Sequence, residues 1–126
     1  MIKEFHLGDI LSITTEVLPS PRHMAGVYDI LNWMTGDNIY THQIPRVSRE
    51  CAPFLLLWHP DLARIEVPND LDSEEAILTW LAEQVAVRGE YRDVQALAAD
   101  NHTRIDPISE LKMMRPDMPI ITLGQE

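Results

Sequence analysis

Arg46 and Arg49 stand three residues apart in a stretch with helical signals. That spacing puts two guanidinium groups on one helix face. His42 and Gln43 lie just ahead of them, where the first backbone N–H groups of a helix have no intrahelical partner. Forked donors beside a helix start suit a phosphate or a carboxylate. Arg22 and His23, near the start of an earlier helix, are candidates for the facing wall. The expected anion-binding set is therefore Arg22, His23, His42, Gln43, Arg46 and Arg49. A plainer use of the same residues is a solvated helix face, with Arg46 or Arg49 paired to Asp29 or Glu50.

Charge is distributed to match a localised site. The chain has 10 Lys+Arg against 20 Asp+Glu, for a net charge of −10. Between Pro19 and His59, Arg22, Arg46 and Arg49 balance Asp29, Asp37 and Glu50, so the acidic excess lies outside that segment. Such a surface argues against general binding to a phosphate backbone. An acidic face meeting a basic partner is permitted.

Other groupings carry less chemistry. Tyr28, Trp33 and Tyr40 could stack on a base, but aromatics at this spacing also read as core. Asn32, Asp37 and Asn38 could read ribose hydroxyls, and turn chemistry accounts for the last two as well. His6, His23, His42 and His59 form no i, i+4 pair, and one cysteine makes no thiolate cluster, so no metal is expected. Cys51 with His42 or His59 could be drawn as nucleophile and base, yet a small buried thiol suits its place better. No nucleophile elbow, P-loop or dinucleotide fingerprint occurs, and no cofactor is implied. His102 and Arg104 precede an Asp106-Pro107 cap and could reach the Arg46 and Arg49 site of a neighbouring copy.

The elements that must position these residues follow from periodicity and caps. Phe5 to Leu11 reads as a short helix with Asp9 near its start. The β-branched run Ile13–Val17 reads as a strand. A helix is expected from Arg22 to Met34, capped at Gly36. A second should run from Thr41–Pro45 to Cys51, and Pro53 should restart a helical turn through Trp58 before His59-Pro60 closes it. Val67–Asp70 reads as a loop. Ser73 or Asp72 caps a third helix that ends at Gly89, with Ile77, Leu78, Leu81 and Val85 as its apolar stripe beside Trp80. Tyr91 to Leu97 reads as a strand, Asp106 to Met114 as a short helix, and Met118 to Leu123 as an edge strand. The fold class expected is α+β, a mostly helical single domain over residues 1–126 with a small β-sheet.

A chain of 126 residues buries enough surface for its own core. Its longest apolar run, Phe54 to Trp58, is far too short to cross a bilayer. Residues 1–20 lack a signal-peptide apolar region, and one cysteine forms no internal disulfide, so the expected compartment is the cytoplasm. The Pro53–Trp58 run and the general tendency of soluble proteins toward symmetric assembly lead to an expected homo-oligomer.

The chain resembles an uncharacterised family of small tailed-phage and prophage proteins. The likeness is carried by Phe5-His6-Leu7-Gly8-Asp9, Ser20-Pro21-Arg22-His23, Gly26-Val27-Tyr28-Asp29, Met34-Thr35-Gly36-Asp37-Asn38 and Thr41-His42-Gln43-Ile44-Pro45-Arg46, followed by Arg49-Glu50-Cys51. Ile105–Leu111 and Pro119-Ile120-Ile121 match more weakly, and residues 60–100 add little. The resemblance implies an accessory phage gene acting inside an infected bacterial cell, where such proteins often counter host defences. With the residues above, it gives as first expectation a non-enzymatic binding protein that sequesters an anionic nucleotide-type signal. One alternative is an acidic inhibitor of a host defence protein, blocking a basic nucleic-acid-binding surface as some CRISPR inhibitors do. The other is a nucleotide-processing enzyme.

Overall fold

A computed structural model of the chain describes residues 2–15, 17 and 24–114. Among the described residues, five helices and a two-stranded antiparallel sheet are present, so the architecture is α+β and mostly helical. The strands are β1, Ile2–His6, and β2, Tyr91–Gln95, in register from Ile2 opposite Gln95 to His6 opposite Tyr91. The helices are α1, Leu7–Thr14; α2, Met24–Thr35; α3, Ile44–Trp58; α4, Glu74–Arg88; and α5, Pro107–Met114.

Helix α1 is the centre of the core. Leu7, Ile10 and Leu11 have no exposed surface, and they meet Ile30, Leu31 and Met34 of α2 with Val47, Cys51 and Leu55 of α3. Phe5 and Val94 close the sheet end, and Trp80 and Leu81 close the α4 side. Two expectations about this region are corrected. Phe5 and His6 belong to a strand, and the helix starts one residue later, where His6 Nδ1 accepts the Gly8 N–H. Ile13 and Thr14 are helical, not extended. Ile13 is buried, and packing of α1 between α2 and α3 outweighs the strand preference of β-branched side chains.

Helix α2 ends as expected at Gly36, whose φ of 66° is left-handed. A 3-10 turn, Thr41–Gln43, leads into α3. Pro53 does not restart α3; it sits inside one continuous helix. Proline removes the N–H that would bond the carbonyl four residues back. Here that residue is Arg49, which lies on the exposed side of α3, where water can take the carbonyl. Of the Pro53–Trp58 run, Leu55 is core and Leu57 is exposed.

Ser73 caps α4 by accepting the Ala76 N–H, and Gly89 follows its last turn. Its expected stripe is narrower than read. Trp80 and Leu81 are buried, Ile77 and Val85 half-buried, and Leu78 faces outward. Asp61, in the 3-10 turn Pro60–Arg64, ties α4 to β2. Its carboxylate receives Arg92 through both oxygens at 2.8 Å and Arg88 at 3.2 Å. Those guanidinium groups, Arg92 foremost, hold the Asp61 carboxyl well below the usual carboxylate range. The expected start of α2 at Arg22 and the expected strand Met118–Leu123 lie outside the described residues.

Candidate functional site

Three of the expected anion-binding residues, His42, Gln43 and Arg46, meet around one point, and that point is occupied by the chain itself. Arg46 Nε donates to Glu110 Oε2 at 2.7 Å and Nη2 to Glu110 Oε1 at 2.9 Å. Gln43, 2% exposed, adds Nε2 to Glu110 Oε1 at 3.0 Å and to the Ile105 carbonyl. His42 Nε2 donates to the Pro107 carbonyl at 2.7 Å. The fork read from the sequence therefore binds a carboxylate, but one supplied by α5. Glu110 is 4% exposed. The Arg46 hydrogen bonds hold its carboxyl below the ordinary range against the opposing effect of burial, and they hold Arg46 protonated more firmly in return.

The same network runs on through α3. Arg46 Nη1 also donates to Glu50 Oε2 and to the Thr103 carbonyl. His102 is buried between two carboxylates, with Nδ1 2.5 Å from Glu50 Oε1 and Nε2 2.9 Å from Asp37 Oδ2. Both ring nitrogens of His102 are thus engaged by carboxylate oxygens. The His102 hydrogen bond is the main cause that keeps the Asp37 carboxyl below its usual value. Arg104 adds an ion pair to Asp37 and a bond to the Gly36 carbonyl. His102 and Arg104 thus serve their own chain, reaching Asp37 and Glu50, and the Arg46–Glu50 pairing weighed from the sequence is present.

Among the described residues, Arg49 is the expected one that the chain leaves available. It is exposed and has no hydrogen bond or ion pair among the described residues. It lines a concavity of about 560 Å³ between the end of α1, the start of α2 and the first turns of α3. Ile13, Val27, Met24 and Ile44 give it apolar walls, and Ser12, Thr14 and Ser48 add hydroxyls. Thr14 Oγ1 is buried without a hydrogen-bond partner among the described residues. Such an orphan costs roughly 1–3 kcal/mol until something satisfies it. Arg22 and His23 lie outside the described residues.

The remaining candidates have structural uses. Trp33 donates its indole N–H to the Val94 carbonyl, and the Tyr28 hydroxyl bonds Thr41. Tyr40 is half exposed, with its ring 6.4 Å from that of His42. Asn32 and Asp37 accept from Ile39 and Asn38 in the turn after α2. Burial, helped by Glu50, pushes the Cys51 thiol up to about 12, which removes it as a nucleophile. Among the described residues no group of three His, Cys, Asp or Glu side chains is placed to hold a metal ion. Nor is any helix there long and apolar enough to cross a membrane.

Fold and site together define a small, mostly helical α+β domain with a polar network sealed by α5 and an open, mixed pocket lined by Arg49. Residues 5–65 match the family model of a domain of unknown function, DUF7736. That span runs from Phe5, near the end of β1, through α3 and the 3-10 turn after it, and includes every residue expected to bind an anion. No curated protein and no solved structure matches the chain.

Proposed function

We propose that the protein is a non-catalytic binding protein for a small anionic ligand of nucleotide type, and that it acts in phage counter-defence as the family resemblance suggests. The observation that carries this reading is the pocket of about 560 Å³ in which Arg49, a guanidinium with no partner among the described residues, stands beside apolar walls. Ligand sites of this size are typically apolar surfaces with a few placed polar groups. A flat apolar moiety fits against Val27, Met24 and Ile44, and a phosphate fits at Arg49 with Ser48 beside it. The orphaned Thr14 hydroxyl supports the same placement. Relative to the sequence expectation, the anion contact moves from Arg46 to Arg49, because Glu110 already fills the Arg46 fork.

The test is native mass spectrometry of protein purified from phage-challenged bacteria, joined with titration of ATP and cyclic dinucleotides. A retained nucleotide mass, unchanged on release, with binding weakened at least tenfold in Arg49→Ala, is the expected result. Equal binding by the variant, or no binding by the wild type in either format, would sink the pocket assignment.

A second reading is favoured by a separate observation. Between Arg64 and Arg88 the chain carries Glu66, Asp70, Asp72, Glu74, Glu75 and Glu83 with no basic residue. All six are exposed, and Leu78 beside them is 40% exposed. An acidic face with an apolar centre suits an inhibitor that covers a basic surface of a host defence protein. Such inhibition should weaken with salt and with neutralisation of Asp70, Asp72, Glu74 and Glu75. Inhibition unaffected by both changes would remove it.

A further inference from the structure

Residues 98–114 are attached to the body in an unusual way. The buried residues of this segment are His102 and Glu110, both ionisable. Ile108, Met113 and Met114 are exposed, while Ile105 and Leu111 are half-buried. Hydrophobic burial therefore contributes little to holding the segment down. What holds it is charge and hydrogen bonding. His102 sits between Asp37 and Glu50; the Thr103 N–H bonds Glu50; Arg104 bonds the Gly36 carbonyl. Glu110 then fills the Arg46 and Gln43 fork with three donors on two oxygens.

That fork has the geometry by which proteins bind foreign carboxylates and phosphates. We propose that it is an anion-binding site whose resident is the chain's own Glu110, and that residues 98–114 form an arm which an external phosphate- or carboxylate-bearing ligand unseats. The site is distinct from the Arg49 pocket and does not depend on it. The tethered carboxylate competes at an effective concentration in the millimolar range, so a multiply charged ligand is needed to displace it. Once the arm is off, Arg46, Gln43 and His42 face outward together, three of the six residues expected from the sequence to bind an anion.

The experiment is amide hydrogen exchange on the full chain, with inorganic pyrophosphate as probe and sodium chloride at matched ionic strength as control. Exchange across 98–114 should quicken at least threefold with pyrophosphate over the salt control, while amides of α1 to α3 are unchanged. Glu110→Gln should quicken the arm about tenfold without any pyrophosphate. Should that variant fail to fold, Arg104→Ala serves, since Arg104 is exposed and lies outside the fork; it should lower the pyrophosphate concentration at half effect. Arm amides that respond no more to pyrophosphate than to salt, or that quicken only together with α1 to α3, would overturn the proposal.

Discussion

Asp61→Asn tests how α4 is fastened. The carboxylate is 42% exposed, while the Arg88 and Arg92 side chains are 21% and 17% exposed. Fully exposed pairs contribute roughly 0.2–1 kcal/mol, and breaking a buried pair costs about 3–5 kcal/mol. Between those limits, and discounted for solvent screening of the open carboxylate, the bidentate Arg92 contact and the single Arg88 contact together contribute about 2 kcal/mol. Asparagine keeps the shape but turns an amide toward a guanidinium. For a domain of this size the loss corresponds to a fall in Tm of roughly 6–10 °C. The depressed Asp61 carboxyl also sets a sign for pH. Its contribution is fully present above the ordinary carboxylate pKa and is lost as pH falls through the lower folded-state value. Thermal melts of wild type and variant should therefore differ at pH 7 and draw together only as pH falls below the ordinary carboxylate range. Equal melting points at pH 7, or a gap that persists unchanged into strong acid, would refute the argument that this carboxylate fastens α4 to β2.

Thr14→Val should stabilise the ligand-free protein by about 1 kcal/mol in urea unfolding, because an unsatisfied buried hydroxyl is removed, and should weaken nucleotide binding in the same titration used for Arg49→Ala. Gly36→Ala should cost about 1 kcal/mol of stability by chemical denaturation. The nearest group to an added Cβ is Arg104 Nη2 at 3.7 Å, so the cost is conformational, not steric. Cys51 should resist iodoacetamide in the folded protein and react once urea unfolds it; fast native labelling would contradict a thiol pushed up to about 12.

Local signals read well from this chain, and long-range ones did not. Ser73 and Gly89 bound α4, Gly36 ends α2 and Asp106 starts α5, where the Ser109 N–H bonds its carboxylate. Each acts within a few residues, so each is visible in a short window. Ile13 and Thr14 misled because β-branching is a weak preference that burial overrides. Pro53 misled because a helix tolerates a proline when the lost acceptor faces water. At the site, the carboxylate-binding character of Gln43 and Arg46 was legible from type and spacing. Its occupant was not, because Glu110 lies 64 residues beyond Arg46 and nothing local links them. His102 and Arg104 were noticed, but a sequence cannot distinguish a partner in the same chain from one in a neighbour.

The sheet has a consequence for the order in which the chain folds. Its closest partners, His6 and Tyr91, stand 85 residues apart. Closing so long a loop carries an entropy cost that no local bond repays, and non-local pairings of this kind come late. Helices α1, α2 and α3 can collapse on one another without it. On a ribosome, β1 therefore waits while most of the chain is synthesised, with Phe5 lacking its cross-strand neighbour until residues 91–95 emerge.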